Sequence, residues 1–183
     1  MSSIIENLKK ELFNENKETY LYAIIDSAVD KMIDGHFESD DVIRYILYKD
    51  EEDKRDLELR APHLVELKEN DTFIKRVLSE GYGNSWGCFI KSNESIEVLV
   101  EHFSNYTKVY SEAHEQDVYI RFYDPRAMNK YFSILQQEEG IDFFSKIDAI
   151  YVEKVEEPQS LLKYTLNEEE MIERQEISLE DEV

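Results

Sequence analysis

One cysteine, Cys88, leaves no internal disulfide to be made, which fits a reducing compartment. Three prolines and five glycines are too few for a linker-rich or low-complexity chain, and no internal repeat is present. No apolar run approaches the roughly 20 residues of a membrane span. Glu6 and Glu11 interrupt the first apolar positions, so no signal-peptide core is expected there and the protein should stay in the cytoplasm. Basic residues are also scarce: 21 Lys and Arg stand against 42 Asp and Glu, a net charge of −21. Nucleic acid and anionic membrane are polyanions, so neither is an expected partner. What is present is enough for a core. Hydrophobic residues are 42% of 183, and a chain of this length buries roughly 70% of its unfolded surface.

Ile4, Ile5, Leu8, Leu12 and Phe13 recur at helical spacing behind the capping pattern Ser3-x-x-Glu6. Tyr20 to Ile25 is an unbroken apolar run closed by Asp26, the pattern of a central strand buried on both faces. A helical region is predicted from Ala28 to Tyr48 with a break near Gly35, then a charged loop from Lys49 to Asp56. Apolar residues alternate from Leu57 through Ala61 and Val65 to Leu67, which predicts a strand, and Pro62 marks it as an edge or a bulge. Asn70 or Asp71 caps a helix carrying Phe73, Ile74, Val77 and Leu78, stopped by Gly81. Further strands are predicted at Trp86–Ile90, Val118–Asp124 and Ile147–Val152. Helices are predicted around Ile96–Phe103 and Pro125–Leu135, with a helical turn at Ile141–Phe144.

This alternation predicts an α/β fold: a central mixed or mostly parallel sheet of about five strands, flanked by helices. Residues 1–152 form the main domain. Residues 153–183 carry eleven acidic and three basic residues and form an acidic C-terminal appendage, with a helix beginning at Asn167-x-x-Glu170. That segment is expected to contact a partner.

Several groups have the residue types of a functional site. Gly81-Tyr82-Gly83-Asn84-Ser85-Trp86-Gly87 has the glycines of a phosphate loop. It follows a helix and opens a strand, the reverse of a dinucleotide site, so a turn packed around Trp86 is expected. Asp26 and Asp124 both end predicted strands. They serve either as helix caps or, if the strands are parallel, as a carboxylate pair for acid–base work or Mg²⁺, with capping the simpler account. His36, His63, His102 and His114 lack metal-ligand spacing, and no metal or cofactor is expected. His63 reads as a satisfied core histidine and Cys88 as a small buried hydrophobe. Twelve tyrosines give weak support to a binding protein.

The most informative string is Arg121-Phe122-Tyr123-Asp124-Pro125-Arg126. Asp124 is a preferred N-cap type and Pro125 suits the first helical position, but neither explains the flanking arginines. With Tyr22–Ala28, Ala61–Leu67, Glu80–Ile90 and Glu101-His102-Phe103, this string resembles the domain-of-unknown-function family 4123, the Tap or Tec adaptor chaperones of type VI secretion. The resemblance runs from about Tyr20 to Val152. It rests on Asp26, Pro62, Leu64, Gly83, Trp86, Gly87, His102 and the RFYDPR string. Tyr82 stands where the family usually has Trp, and Ser104 where a basic residue often follows the His. The resemblance implies a cytoplasmic chaperone that binds an effector protein, helps load it onto the spike-tip protein VgrG, and catalyses nothing. Two other readings remain open at this point: an acidic immunity protein masking a basic toxin, and a hydrolase using Asp26 and Asp124.

Overall fold

The structure is a computed structural model that describes residues 3–13 and 19–181. Its centre is a seven-stranded sheet with strands β1 (Tyr20–Asp26), β2 (Arg44–Ile46), β3 (Pro62–Leu67), β4 (Gly87–Ser92), β7 (Ala149–Glu153), β8 (Ser160–Leu166) and β9 (Ile172–Ser178), in the order β2-β3-β1-β4-β7-β8-β9. Strands β5 (Lys108–Ser111) and β6 (Gln116–Tyr119) form a separate hairpin. The helices are α1 (Ser3–Phe13), α2 (Met32–Ser39), α3 (Glu51–Leu57), α4 (Thr72–Arg76, continued by a wide turn to Gly81), α5 (Ile96–Ser104), α6 (Pro125–Ile134) and α7 (Gln137–Phe144).

Every pairing in the sheet is antiparallel, which corrects the expected mixed or parallel sheet of about five strands. The physical reason lies in β1. Its apolar run is set by burial on both faces, and an antiparallel strand covered by helices on both sides has the same burial. On one face, Leu21, Ala23 and Ile25 meet Leu8 and Leu12 of α1, Ile33 and Phe37 of α2, and Phe73 and Ile74 of α4. On the other, Tyr22 and Ile24 join Leu99 and Phe103 of α5, Met128 and Phe132 of α6, and Phe143 of α7. The result is three layers, helices on sheet on helices. No helix among the described residues is long and apolar enough to cross a membrane.

Four other expectations change. The region Ala28–Tyr48 is α2 followed by the three-residue strand β2, and the charged loop at Lys49–Asp56 is mostly α3. Pro62 begins β3, which is an interior strand. Leu47 N–H donates to the Pro62 carbonyl at 3.0 Å, but proline has no N–H to return; the Thr107 hydroxyl donates to the Leu47 carbonyl instead, at 2.8 Å. The C-terminal segment is not helical. Strand β8 pairs with β7 in the main sheet, and β9 pairs with β8 over seven positions. Asn167, the expected helix cap, does accept backbone N–H groups, from Glu169 at 3.0 Å and Met171 at 2.9 Å. It uses them to close the β8–β9 turn.

Candidate functional site

The strand predicted at Val118–Asp124 stops at Tyr119, and RFYDPR is a turn leading into α6. Phe122 and Tyr123 are consecutive and both buried, which a strand with one face per parity does not allow across a single core. Here both sit under the helices. The Phe122 ring stacks on Phe103 at 5.8 Å and meets Phe143 edge-on at 5.4 Å, so the turn is pinned between α5, α6 and α7.

Asp124 is the N-cap of α6, with Pro125 at the first helical position. Its carboxylate accepts from the Arg126 backbone N–H at 2.9 Å. It also takes a two-pronged bond from the Arg126 guanidinium, at 2.8 and 2.6 Å. Burial works against the charged form. The Arg126 hydrogen bonds outweigh it and hold the Asp124 carboxyl below the ordinary range. A folded-state value below the unfolded one contributes stability above the unfolded value, and this is lost as pH falls through the folded one. Asp124→Ala is expected to destabilise the fold by about 1–2 kcal/mol at neutral pH, chiefly through the cap, because Arg126 is over half exposed. Thermal melts check this; a variant that melts with the wild type and fails only in partner binding makes the residue a contact instead.

Asp26 ends β1 and is 1% exposed. Its backbone N–H donates to the Trp86 carbonyl at 2.7 Å, and its Oδ1 accepts from Ala28 N–H at 3.0 Å, closing a turn. Asp26 therefore caps no helix; α2 starts six residues later, at Met32. Arg121 Nη1 lies 3.2 Å from Oδ2, close enough for an ion pair, yet Oδ2 is buried with no hydrogen bond among the described residues. Burial raises the Asp26 carboxyl above its ordinary value, against the Ala28 bond and the arginines, with the Asp124 charge adding to the rise. A raised carboxyl binds its proton more tightly folded than unfolded, so its charge costs stability at neutral pH and that loss is relieved as pH falls. Asp26→Asn is accordingly expected to melt within roughly 2–4 °C of the wild type at pH 7, about 1 kcal/mol for this size. It should gain less than the wild type on acidification to pH 5. Equal gains in paired pH-dependent melts sink this account.

A third carboxylate joins them. Glu153 ends β7 as Asp26 ends β1, and since each is antiparallel to β4, both strands finish at the same edge. Glu153 is buried and accepts from the Gly83 N–H, from the Ser85 N–H at 3.0 Å and from the Ser85 hydroxyl at 3.1 Å. Gly83 and Ser85 both have positive φ, at 84° and 56°. Such turns point successive N–H groups inward as an anion cradle. The glycine-rich loop is thus a genuine cradle whose anion is the protein's own Glu153. Burial raises this carboxyl too, against the bonds from Gly83 and Ser85. Sequence reasoning missed Glu153, though the signal was there: Ala149-Ile150-Tyr151-Val152-Glu153 repeats the pattern of an apolar run closed by an acid.

The remaining predicted residues are placed around this cluster. Trp86 is buried, with Gly81 against its ring and His36 stacked at 5.9 Å. Gly87 lets β4 approach β1, and Leu64 lies in the core. His102 Nε2 bonds the Phe143 carbonyl at 2.8 Å and ties α5 to α7. His63 is fully buried with Nδ1 on the Ser27 hydroxyl at 3.0 Å, but its buried Nε2 has no hydrogen-bond partner among the described residues, so the expected core histidine is only half satisfied; burial pulls it down to about 4, so it stays neutral. Cys88 is buried and its thiol is pushed up by burial, as expected of an inert side chain. Among the described residues no three His, Cys, Asp or Glu side chains are grouped to hold a metal. As placed, Asp26 is closed to solvent and both oxygens of Asp124 are held by Arg126. An open hollow of about 420 Å³ lies beside the cluster, bordered by Arg126, Glu153, Lys154 and Arg174.

Fold and cluster define a class: a three-layer protein on an antiparallel sheet, with its motif residues locking strand ends and one helix start at a single edge. The chain belongs to the family Domain of unknown function (DUF4123), whose family model matches residues 21–140, a span that includes the RFYDPR string. The match ends earlier than the expected Val152. The Tap and Tec adaptors of type VI secretion effectors are in this family. No curated protein and no solved structure matches the chain.

Proposed function

We propose that this protein is a cytoplasmic adaptor chaperone of type VI secretion, which binds an effector protein and helps load it onto the spike-tip protein VgrG without catalysing a reaction. Family membership carries the reading, since the family includes adaptors of this kind. The charge of −21 adds to it, because an acidic surface steers a basic client and raises its association rate. Charge alone holds any cation, so selectivity falls to shape and apolar anchors. Exposed Tyr110 and Tyr119 on the β5–β6 hairpin and Ile43 before β2 are such anchors. The acidity also suits an immunity protein that masks a basic toxin. A spike-tip gene upstream and an effector gene downstream favour the adaptor; a toxin gene alone favours immunity.

The test is binding kinetics with the effector encoded beside the chain, at low and high salt. Association is expected to slow several-fold once the screening length falls below about 10 Å, at 0.1 M salt. Dissociation should change much less, because apolar anchors are not screened. Absence of any complex removes the adaptor reading; an association rate indifferent to salt removes the steering and leaves the adaptor.

A further inference from the structure

At the far end of β1 and β3 from Asp26, where Leu21 pairs with Leu67, the sheet edge has an opening lined by none of the RFYDPR residues. Strand β2 ends the sheet, and its outer edge pairs with no other strand among the described residues. Leu47 N–H bonds the Pro62 carbonyl, and hydrogen-bonded pairs alternate in an antiparallel ladder, so Tyr45 exchanges bonds with Leu64. The N–H and C=O groups of Arg44 and Ile46 then point away from β3. Beta-strand β2 is also short. It covers β3 only from His63 to Val65 and leaves Glu66 and Leu67 uncovered on that side.

In this step lies a groove of about 340 Å³. Leu67, Phe73 and Ile74, all nearly buried, lie at its floor, half-buried Val42 lines it, and Ile43 is 75% exposed. Asp40, Asp41, Glu66, Asp71 and Glu97 surround it, with Lys68 as the one cation among the described lining residues. Asp40 is neutralised by Arg76 at 2.7 Å. Asp41, Glu66, Asp71 and Glu97 make no ion pair among the described residues.

We propose that this groove and the outer edge of β2 receive an extended, lysine- or arginine-bearing segment of the effector protein, with one apolar side chain seated in the groove. The inference rests on the adaptor reading and names the face that reading leaves open. The edge offers main-chain partners to an extended chain, the apolar floor an anchor, and the carboxylates a preference for cations. A helix finds no use for the strand edge. A bound metal ion is a poorer fit, because the acids ring an apolar floor and are not grouped. A second copy of this chain brings a further charge of −21 to an acidic surface.

The test uses the full chain and the effector encoded beside it. Two groove variants are Ile43→Asp and the double change Glu66→Lys with Asp71→Lys. The control is Glu168→Lys with Glu169→Lys, the same charge change in the distant β8–β9 turn. The expected result is affinity weakened about tenfold or more by either groove variant and less than about twofold by the control. Hydrogen exchange at residues 42–46 should also slow in the wild-type complex. Wild-type affinity in both groove variants, or an equal loss in the control, overturns the inference and leaves the adaptor standing. No complex with the wild-type chain overturns both. Circular dichroism of each variant separates lost binding from lost fold, and Ile43, being so exposed, is the variant least able to disturb the core.

Discussion

A chain ending at Glu153 is expected to lose the folded state altogether. Its composition changes there, and an acidic tail invites removal. In the structure the tail is two strands of the sheet. Strand β8 pairs with β7 over four positions from Ile150 to Glu153, and β9 pairs with β8 over seven. Leu161 enters one core, while Leu162 and Tyr164 enter the other. The Tyr164 ring lies 4.8 Å from Phe132 of α6. Leu179, 1% exposed, takes its place beside α1, where Asn7 donates to its carbonyl at 3.1 Å. Burying such side chains contributes about 1.5–3 kcal/mol each, so these four represent roughly 6–12 kcal/mol. A domain's whole stability is about 5–15 kcal/mol. The cut also leaves the interior strand β7 as a bare apolar edge, an invitation to aggregation. The truncated chain should be insoluble or lack a cooperative melt. A soluble truncation with a wild-type melting temperature makes the C-terminal strands an ornament, contrary to this account.

The same segment shows where the sequence was legible and where it was not. Long periodic elements were readable: α1, β1, α5 and α6 lie where their apolar spacing put them, because burial fixed that spacing. Asp124 and Pro125 read correctly as a helix start, because a cap is a local device. Strand direction was not readable, since burial on both faces leaves the same pattern in parallel and antiparallel sheets. Nor was the end of the strand before RFYDPR, because aromatic residues buried in a turn look like aromatic residues buried in a strand. Asn167 shows the limit of cap signals: a side chain that accepts N–H groups suits a helix start and a hairpin turn equally. Of the charged cluster, Asp26, Asp124 and both arginines were legible but Glu153 was not, because its partners Gly83 and Ser85 lie some 70 residues away.

Gly87→Ala is expected to be the most damaging methyl that can be added to this protein. Gly87 has φ of 152°, a region that side chains rarely adopt, and a Cβ there lies 1.8 Å from the Ile24 carbonyl oxygen and 2.9 Å from its carbon. Those atoms are backbone of β1, the strand on which both cores are built, so no side chain can swing away to make room. Strand β4 must move off β1 at Ile25, its partner in register. The Trp86 carbonyl then leaves the Asp26 N–H, and the turn that cradles Glu153 shifts with it. A loss of more than about 4 kcal/mol is expected, in the range reserved for a named steric cause. Two other glycines calibrate the claim. Gly83 has φ of 84° with nothing within 4 Å of a Cβ, so alanine there meets only left-handed strain, about 1–2 kcal/mol. Gly35 lies inside α2 with the same open space and an ordinary φ. Alanine there should stabilise by about 0.5–1 kcal/mol through helix propensity. The three thermal melts should therefore rank Gly35→Ala above the wild type, Gly83→Ala below it, and Gly87→Ala far below or without a transition. A Gly87→Ala protein melting within a few degrees of the wild type means that β4 does not approach β1 as closely as described, and the charged cluster at their shared edge would then need another geometry.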